Sequence, residues 1–202
     1  MSRDNPVARW LERPARAVAI IGGWWLLGLA FLTCVEIFGR KFFSFSLLGV
    51  DEIGAYTLAA FSTLSFAHAL VAKSHTRVDF LLGHLPPPLR AVLNALAFVL
   101  LAVLAIFAAW RGWAVLDESL MFQAHANSPL NTPMWLPQSA WLAGLVAFAI
   151  AAGTFGAHAL LLLLLTDWRK VNRWYGPMTL EEEVATEASA ILARGADKEI
   201  LR

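Results

Sequence analysis

Residues 91–110 read AVLNALAFVLLAVLAIFAAW, twenty residues without an ionised side chain between Arg90 and Arg111. A helix rises ~1.5 Å per residue, so this stretch covers about 30 Å, the thickness of the hydrocarbon core of a bilayer. Because lipid offers the backbone no hydrogen-bond partners, a spanning stretch has to satisfy its own amide groups, and a helix does so. Residues 91–110 therefore predict a membrane-spanning helix.

Three further stretches share this pattern. Residues 17–35 and 53–72 are 19 and 20 residues long and contain no Lys, Arg, Asp or Glu. Residues 119–166 also lack these side chains, but 48 residues are too many for one span. Asn and Pro residues between positions 127 and 137 interrupt this stretch, so its span is expected to begin near residue 139. The predicted spans lie at about residues 17–37, 52–72, 90–111 and 139–165.

The composition agrees with a membrane protein. Of the 202 residues, 58% are hydrophobic and 15% are charged, against roughly 45–50% and 25% in soluble domains. The predicted fold class is an all-α membrane protein with four transmembrane helices, a short interfacial helix and an amphipathic cytoplasmic C-terminal helix. The predicted segments are a cytoplasmic or interfacial N-terminal segment (1–16), a four-span membrane domain (17–166) and a cytoplasmic tail (167–202).

Positive charge lies mostly on one side of the predicted bundle. Thirteen of the 16 Lys and Arg residues precede span one, separate spans two and three, or follow span four, whereas Arg40, Lys41 and Arg111 lie on the other side. Because Lys and Arg concentrate in cytoplasmic loops, both termini are expected in the cytoplasm. The expected location is the bacterial inner (plasma) membrane.

Two segments outside the spans have helical patterns. In residues 76–85, Thr76 and Asp79 resemble an N-terminal cap and apolar residues recur at helical spacing, which predicts a short interfacial helix. In the tail, Thr179 and Glu182 form a capping-box pattern ahead of an apolar stripe. The tail is predicted to form an amphipathic helix, interfacial or docked on a partner; the alternative is a loosely ordered, solvated tail.

Four of the ionisable residues that flank the connection between spans one and two are candidates for polar contacts. Glu36 and Arg40 are four residues apart, acid first, which favours an ion pair on one helix face. Asp51 and Glu52 open span two, where the helix dipole stabilises anions. Either Arg40, Asp51 and Glu52 form a polar cluster that contacts a partner, or they are ordinary charges at the ends of spans.

Histidines raise the question of a cofactor. His68 and His158 could ligate haem between helices, but at ~1.5 Å per residue they lie about 6 Å and about 12 Å from the cytoplasmic ends of their windows. Hydrogen-bonded histidines are therefore favoured. His75, Arg77 and Asp79 could form a metal or acid–base group, but they have no Cys or carboxylate partner at ligand spacing, which favours a structural role. The sequence contains no Walker loop, nucleophile elbow or H-E-x-x-H motif, so neither an enzyme nor a cofactor is predicted.

Small residues and tryptophans mark helix contacts. Trp24 and Trp25 lie in the middle of span one, away from the interface that Trp prefers, so they are expected to pack against a neighbouring helix. Small residues permit close helix approach, either to a partner or within the bundle of this chain. They lie at Gly22-Gly23-Gly28 and Ala151-Ala152-Gly153-Gly156.

Several short motifs, taken in order, resemble one family. They are Arg40 closing span one, Gly49-Val50-Asp51-Glu52 opening span two, His75-Thr76-Arg77-Val78-Asp79 after that span, Leu85-Pro86 with Arg90, and Asn131-Thr132-Pro133-Met134-Trp135-Leu136-Pro137 before span four. In this order and spacing the chain resembles the small permease subunit of TRAP (tripartite ATP-independent periplasmic) transporters, the DctQ-like family, over about residues 17–165. Ser65 departs from the family pattern, in which a glycine is expected; serine still permits close helix packing.

The resemblance implies a three-part uptake system. A periplasmic binding protein captures an organic acid, a large membrane subunit with sodium sites moves it across, and the small subunit pairs with the large one as a scaffold. The expected partners are the large permease subunit, the periplasmic substrate-binding protein and the lipid bilayer, with no nucleic acid. The residues expected to make structural or partner-interface contacts are Glu36, Arg40, Asp51, Glu52, His75, Arg77, Asp79 and Trp135.

Two other functions compete with this interpretation. One is a haem-binding membrane electron-transfer subunit that uses His68 and His158, which a Soret band would reveal. The other is a stand-alone four-helix membrane protein that acts as an assembly factor or small pump.

Overall fold

The computed structural model describes residues 5–72 and 85–176, together with positions 184 and 188. Five helices make up this part of the chain, and it contains no β-strand beyond an isolated bridge between His125 and Pro133. The helices are α1 (Pro6–Phe43), α2 (Val50–Val71), α3 (Pro87–Met121), α4 (Trp135–Leu164) and α5 (Trp168–Tyr175). The first four are long and apolar enough to cross a membrane, which confirms the predicted all-α fold with four spanning helices.

Helix α1 is much longer than its predicted span. It contains 38 residues, or about 57 Å at ~1.5 Å per residue. The Asn5 side chain caps its first turn by accepting a hydrogen bond from the Val7 amide at 3.1 Å, and Pro6 occupies the first helical position, where its missing N–H costs nothing. From Pro6 onward, the predicted N-terminal segment is therefore continuous with span one as a single helix. Ser44, in the left-handed conformation, ends α1.

Helices α3 and α4 form the core of the bundle. Their buried positions recur every three or four residues, which places them on one face of each helix. Many are alanine or glycine, so the two backbones lie close together: a Cβ added at Gly156 would be 3.1 Å from the carbonyl oxygen of Phe98. The core residues of this contact include Ala91, Ala95, Phe98, Ala102, Ala105, Phe148, Ala151, Ala152, Phe155 and Ala159.

Helix α2 packs on α4, and α1 packs on α2. At the first contact, the Thr63 hydroxyl donates to the carbonyl oxygen of Trp141 at 3.2 Å beside Gly144. At the second contact, Gly22 lies against the ring of Phe61, with only 2.5 Å to a Cβ built at that glycine. The helices therefore follow one another in space as α1, α2, α4 and α3, with α5 lying across α3 and α4.

The outer faces of the helices are apolar. Only 6% of the most apolar window of α1 is buried within the chain, against 44% for α4. Apolar surface of this extent on every spanning helix requires lipid or a protein partner to cover it. The chain is accordingly a multi-pass membrane protein, and α1 is its peripheral helix.

Several predictions fall on residues outside the described part of the chain. These are the interfacial helix at 76–85, apart from Leu85, and the tail helix from Thr179, apart from positions 184 and 188. Among the residues described, α3 continues past the predicted end of span three to Met121, and α4 begins at Trp135 rather than near residue 139. The short helix α5, directly after α4, was not predicted.

Candidate functional site

The end of the bundle that contains Glu36 (hereafter the Glu36 end) holds most of the predicted interface residues. Glu36 is 3% exposed and accepts hydrogen bonds from Arg40 at 3.3 Å and from the Ser46 hydroxyl at 3.2 Å. The predicted ion pair is therefore present. Its carboxylate also fastens the connection between α1 and α2. The Arg40 side chain remains 59% exposed, so its outer surface is available to a partner.

Glu52 fastens a different segment. Its Oε1 accepts a hydrogen bond from the Tyr56 hydroxyl at 2.7 Å. Its Oε2 is buried and has no hydrogen-bond partner among the described residues, but the carboxyl group lies near the side chains of Ser128 and Thr132 in the connection between α3 and α4 (residues 122–134). The carboxylate thus joins the first turn of α2 to a connection that lies far along the chain.

The 122–134 connection is ordered by its own backbone. The amide of Ala126 donates to the carbonyl of Thr132, and the amide of Met134 donates to the carbonyl of Ala124, both at 2.9 Å. Leu130 lies over Gly49, which has φ +91°, and a Cβ built at Gly49 would be 2.5 Å from Leu130 Cγ. Glycine is required at position 49 by both the left-handed backbone and the close approach of Leu130.

The predicted polar cluster is divided in two. Arg40 pairs with Glu36, whereas Glu52 holds the 122–134 connection, and Asp51 is exposed in the first turn of α2. Trp135 is the first residue of α4, directly after this connection, and is partly exposed. His75, Arg77 and Asp79 lie outside the described residues. A partner-interface role for these residues remains a prediction.

We expect Glu52→Gln to loosen the 122–134 connection. The amide keeps the shape of the side chain but loses the negative charge that strengthens hydrogen bonds from neighbouring hydroxyl groups. Hydrogen–deuterium exchange at the amides of Ala126 and Met134 should become several-fold faster. Asp51→Asn is the matched control, because it removes an exposed carboxylate from the same helical turn. Equal exchange in both variants would contradict the anchoring role.

The opposite end of the bundle (hereafter the Tyr175 end) holds a polar group that the sequence interpretation missed. Tyr175, on α5, is fully buried, and its hydroxyl lies 2.5 Å from His158 Nδ1 on α4. The same hydroxyl interacts with the side chain of Asn5, the N-terminal cap of α1. Its ring packs edge-on against Phe98 of α3, with ring centroids 4.8 Å apart. One tyrosine therefore contacts or bonds groups at the ends of three spanning helices.

Two asparagines extend this contact. Asn94 of α3 is buried and donates from Nδ2 to Asn172 Oδ1 on α5 at 3.1 Å. The side chain of Asn172 in turn donates to the carbonyl of Pro87 at 2.9 Å. A polar side chain such as Asn94, within an uncharged membrane-spanning stretch, needs a hydrogen-bond partner. This need is the feature of the sequence that could have indicated a segment such as α5.

Burial raises the pKa of Tyr175 to about 12, so its phenol stays neutral and can donate to the imidazole of His158. The pKa of Asp167, the N-terminal cap of α5, is lowered, chiefly by its hydrogen bond with the Lys170 side chain. The contact between Asp167 and Lys170 stabilises the first turn of α5 itself, and the raised pKa of Tyr175 means that burial of its phenol requires no deprotonated form near neutral pH.

The raised pKa of Tyr175 can be tested by titration. The chain has two tyrosines, so Tyr56→Phe leaves Tyr175 as the single phenol. Tyrosinate absorbance should then appear with a midpoint near pH 12, rather than the usual value of about 10. Because the folded pKa is raised, the corresponding stability is present below about pH 10 and is lost as pH rises through the folded value. A midpoint near the usual value would show that Tyr175 is not buried.

The comparison with protein families bears on the whole membrane domain. Residues 29–162 match the model of the tripartite ATP-independent periplasmic transporters, DctQ component. The chain belongs to the DctQ family. It is therefore a small membrane subunit of a TRAP transporter, in a family that is generally not enzymatic and that partners a large permease and a binding protein. The comparison with curated proteins gives no match.

The residues that match the family model cover the two ends of this DctQ chain unequally. It includes the whole Glu36 end: the Glu36–Arg40 pair, Glu52 and the 122–134 connection. At the Tyr175 end it includes Asn94 and His158 but stops before α5 and begins after Asn5. The family match therefore covers the Glu36 end fully and the Tyr175 end only in part.

Proposed function

We propose that this chain is the scaffold of a TRAP-type secondary transporter, holding the large permease subunit for sodium-coupled uptake of an organic acid delivered by a periplasmic binding protein. The family match over residues 29–162 carries this proposal. The proposed location is the bacterial inner membrane, with both termini in the cytoplasm and the Glu36 end facing the periplasm. The 13-to-3 distribution of Lys and Arg residues supports this orientation.

The arrangement of ionisable groups supports a scaffold rather than a transport path. Within residues 5–72 and 85–176, no cluster of three or more His, Cys, Asp or Glu side chains could hold a metal ion. Glu36 and Glu52 are engaged with neighbouring segments at the helix ends. Since polar groups at mid-membrane depth mark ion and substrate paths, we place the sodium and substrate sites in the large subunit.

The Glu36 end is the proposed contact for periplasmic partners. Arg40, Asp51 and Trp135 present accessible surface there, next to the two connections that Glu36 and Glu52 contact. At the other end, His75, Arg77 and Asp79 are proposed to contact the large subunit or to order the connection between α2 and α3.

Co-purification tests the scaffold directly. The large permease subunit of the same organism, affinity-tagged and co-expressed, should retain this chain in equimolar amount through size-exclusion chromatography in mild detergent. Isolation of the large subunit as a monodisperse species without this chain would contradict the proposal.

Site-specific labelling tests the orientation. In a Cys34→Ser background, a membrane-impermeant maleimide should label N127C in intact spheroplasts, because residue 127 is exposed in the 122–134 connection. R169C, exposed on α5, should be labelled only after permeabilisation. The reverse pattern would place both termini in the periplasm.

A further inference from the structure

Three arginines form a stripe at the start of α1. Arg9, Arg13 and Arg16 are four and three residues apart, so they lie on one helix face, and all three are exposed. Among the residues that the structure describes, the ion pairs are Arg40–Glu36 and Lys170–Asp167, so none of these three arginines forms an ion pair with a described carboxylate. Glu12 lies beside the stripe, exposed, and does not pair with it.

The stripe faces away from the bundle. The buried residues of this part of α1 are Ala8 and Ala15, which lie on a different face of the helix from the stripe. Further along α1, the helical spacing of the stripe continues through Ile20, Trp24 and Leu27, all exposed, with Trp24 at 71%. The helix face that is basic at the start of α1 is therefore apolar on the C-terminal side of Arg16, where the rest of the chain does not cover it.

Arg13 and Arg16 lie at the depth of a headgroup layer, and Arg9 lies just outside it. Arg16 borders the uncharged window 17–35, and seven residues separate it from Arg9, about 10 Å along the axis. Each headgroup layer is roughly 5–7 Å thick outside the hydrocarbon. Trp10, exposed next to the stripe, is a residue type that prefers this interface. Lipid in contact with the apolar face below Arg16 would place its headgroups against the arginines.

We propose that Arg9, Arg13 and Arg16 bind the headgroups of anionic phospholipids in the leaflet where α1 begins. The stripe and such headgroups are complementary in charge: guanidinium groups bind phosphate oxygens in bidentate geometry, and anionic leaflet surfaces attract basic residues next to a span. The stripe would fix the depth of the peripheral helix. The inference uses the membrane placement given under the proposed function and involves no protein partner.

Native mass spectrometry of the full chain in detergent tests this. The delipidated protein is titrated with phosphatidylglycerol or with phosphatidylcholine of the same acyl chains. Phosphatidylglycerol should bind more tightly, and R9Q/R13Q/R16Q should weaken it at least tenfold, since each basic residue near an anionic surface contributes about fivefold. Phosphatidylcholine binding should be unchanged. Glutamine is a good helix former, so α1 is retained, and R9K/R13K/R16K should keep most of the affinity.

The control variant K41Q/R111Q removes two positive charges from the Glu36 end and should leave phosphatidylglycerol binding unaffected. Equal affinity in R9Q/R13Q/R16Q and the unaltered chain would overturn the proposal, as would an equal loss in K41Q/R111Q, which would assign the effect to net charge. If R9Q/R13Q/R16Q kept its lipid affinity in this titration but failed to co-purify with the tagged large permease in the separate experiment described above, the stripe would bind an acidic protein surface instead. The titration contains no permease, so its outcome is independent of the scaffold proposal.

Discussion

Gly144→Ala should destabilise the bundle by about 1–3 kcal/mol, the usual cost of forcing extra volume into a packed core. A Cβ at this position would overlap the Thr63 hydroxyl and lie 2.7 Å from the amide nitrogen of Leu64. A side chain can rotate away from such a contact, but the α2 backbone cannot, so α2 and α4 would have to separate. That separation would also break the hydrogen bond from Thr63 to Trp141.

Gly153→Ala is the matched control, since it adds the same methyl group to the same helix. A Cβ there would meet no described atom within 4 Å, and alanine is favoured over glycine in a helix by up to about 1 kcal/mol. Thermal unfolding in detergent should therefore show a lowered midpoint for Gly144→Ala and an unchanged or raised one for Gly153→Ala. Equal midpoints would mean that α2 and α4 do not approach as closely as the structure shows.

Tyr175→Ala should have the larger effect, about 3–5 kcal/mol, as for other buried aromatic side chains truncated to alanine. The change empties a fully buried site between α3, α4 and α5 and removes the hydroxyl beside His158. Tyr175→Phe removes the hydroxyl alone and should cost about 1–3 kcal/mol, because it leaves buried polar partners unsatisfied. The change in unfolding free energy of Tyr175→Phe reports the hydroxyl, and its difference from that of Tyr175→Ala reports the packing of the ring.

Limited trypsin digestion reports on α5 in these variants. Arg169 and Lys170 are already exposed on the docked helix, but a protease needs extended backbone rather than helix. Release and unfolding of α5 should therefore make cleavage after these residues fastest in Tyr175→Ala, slower in Tyr175→Phe and slowest in the unaltered chain. Trp168→Ala, an aromatic truncation at a partly exposed position on the same helix, should leave the rate near that of the unaltered chain. Fast cleavage of all four proteins would show that α5 is not docked.

The sequence predicted the spanning helices because ionised side chains are costly in lipid. Their lengths were underestimated for the same reason. The uncharged windows measure the depth of the hydrocarbon, whereas helical hydrogen bonds continue into the aqueous phase. Helix α3 accordingly passes Arg111, Asp117 and Glu118 before it ends at Met121.

Local spacing predicted local contacts and missed distant ones. The four-residue interval between Glu36 and Arg40 gave their ion pair correctly. The attachment of Glu52 to the 122–134 connection depends on tertiary packing, which spacing along the chain does not encode. The prediction that the mid-span tryptophans pack against a neighbouring helix is confirmed for Trp25, whose indole nitrogen donates a hydrogen bond to the Thr57 hydroxyl on α2 at 3.4 Å. Trp24, in contrast, is 71% exposed on the outer face of α1.

Of the two uses left open for the small-residue stripes, packing within this chain is observed at some positions, and contact with a partner stays a prediction at the others. Gly22 and Gly156 pack against neighbouring helices of this chain, whereas Gly23, Gly28 and Gly153 have no described atom within 4 Å of an added Cβ. Glycine permits close approach but does not specify the partner, so sequence alone could not assign these positions.

We propose that this chain supports transport by a partner and carries no transport path itself. The direct test is uptake of the organic acid into proteoliposomes that contain the large permease, with saturating binding protein and an inward sodium gradient, in the presence or absence of this chain. We predict that omission abolishes sodium-driven uptake, and that this chain alone moves no substrate. Full uptake by the large permease alone, or carboxylate transport by this chain alone, would contradict the account.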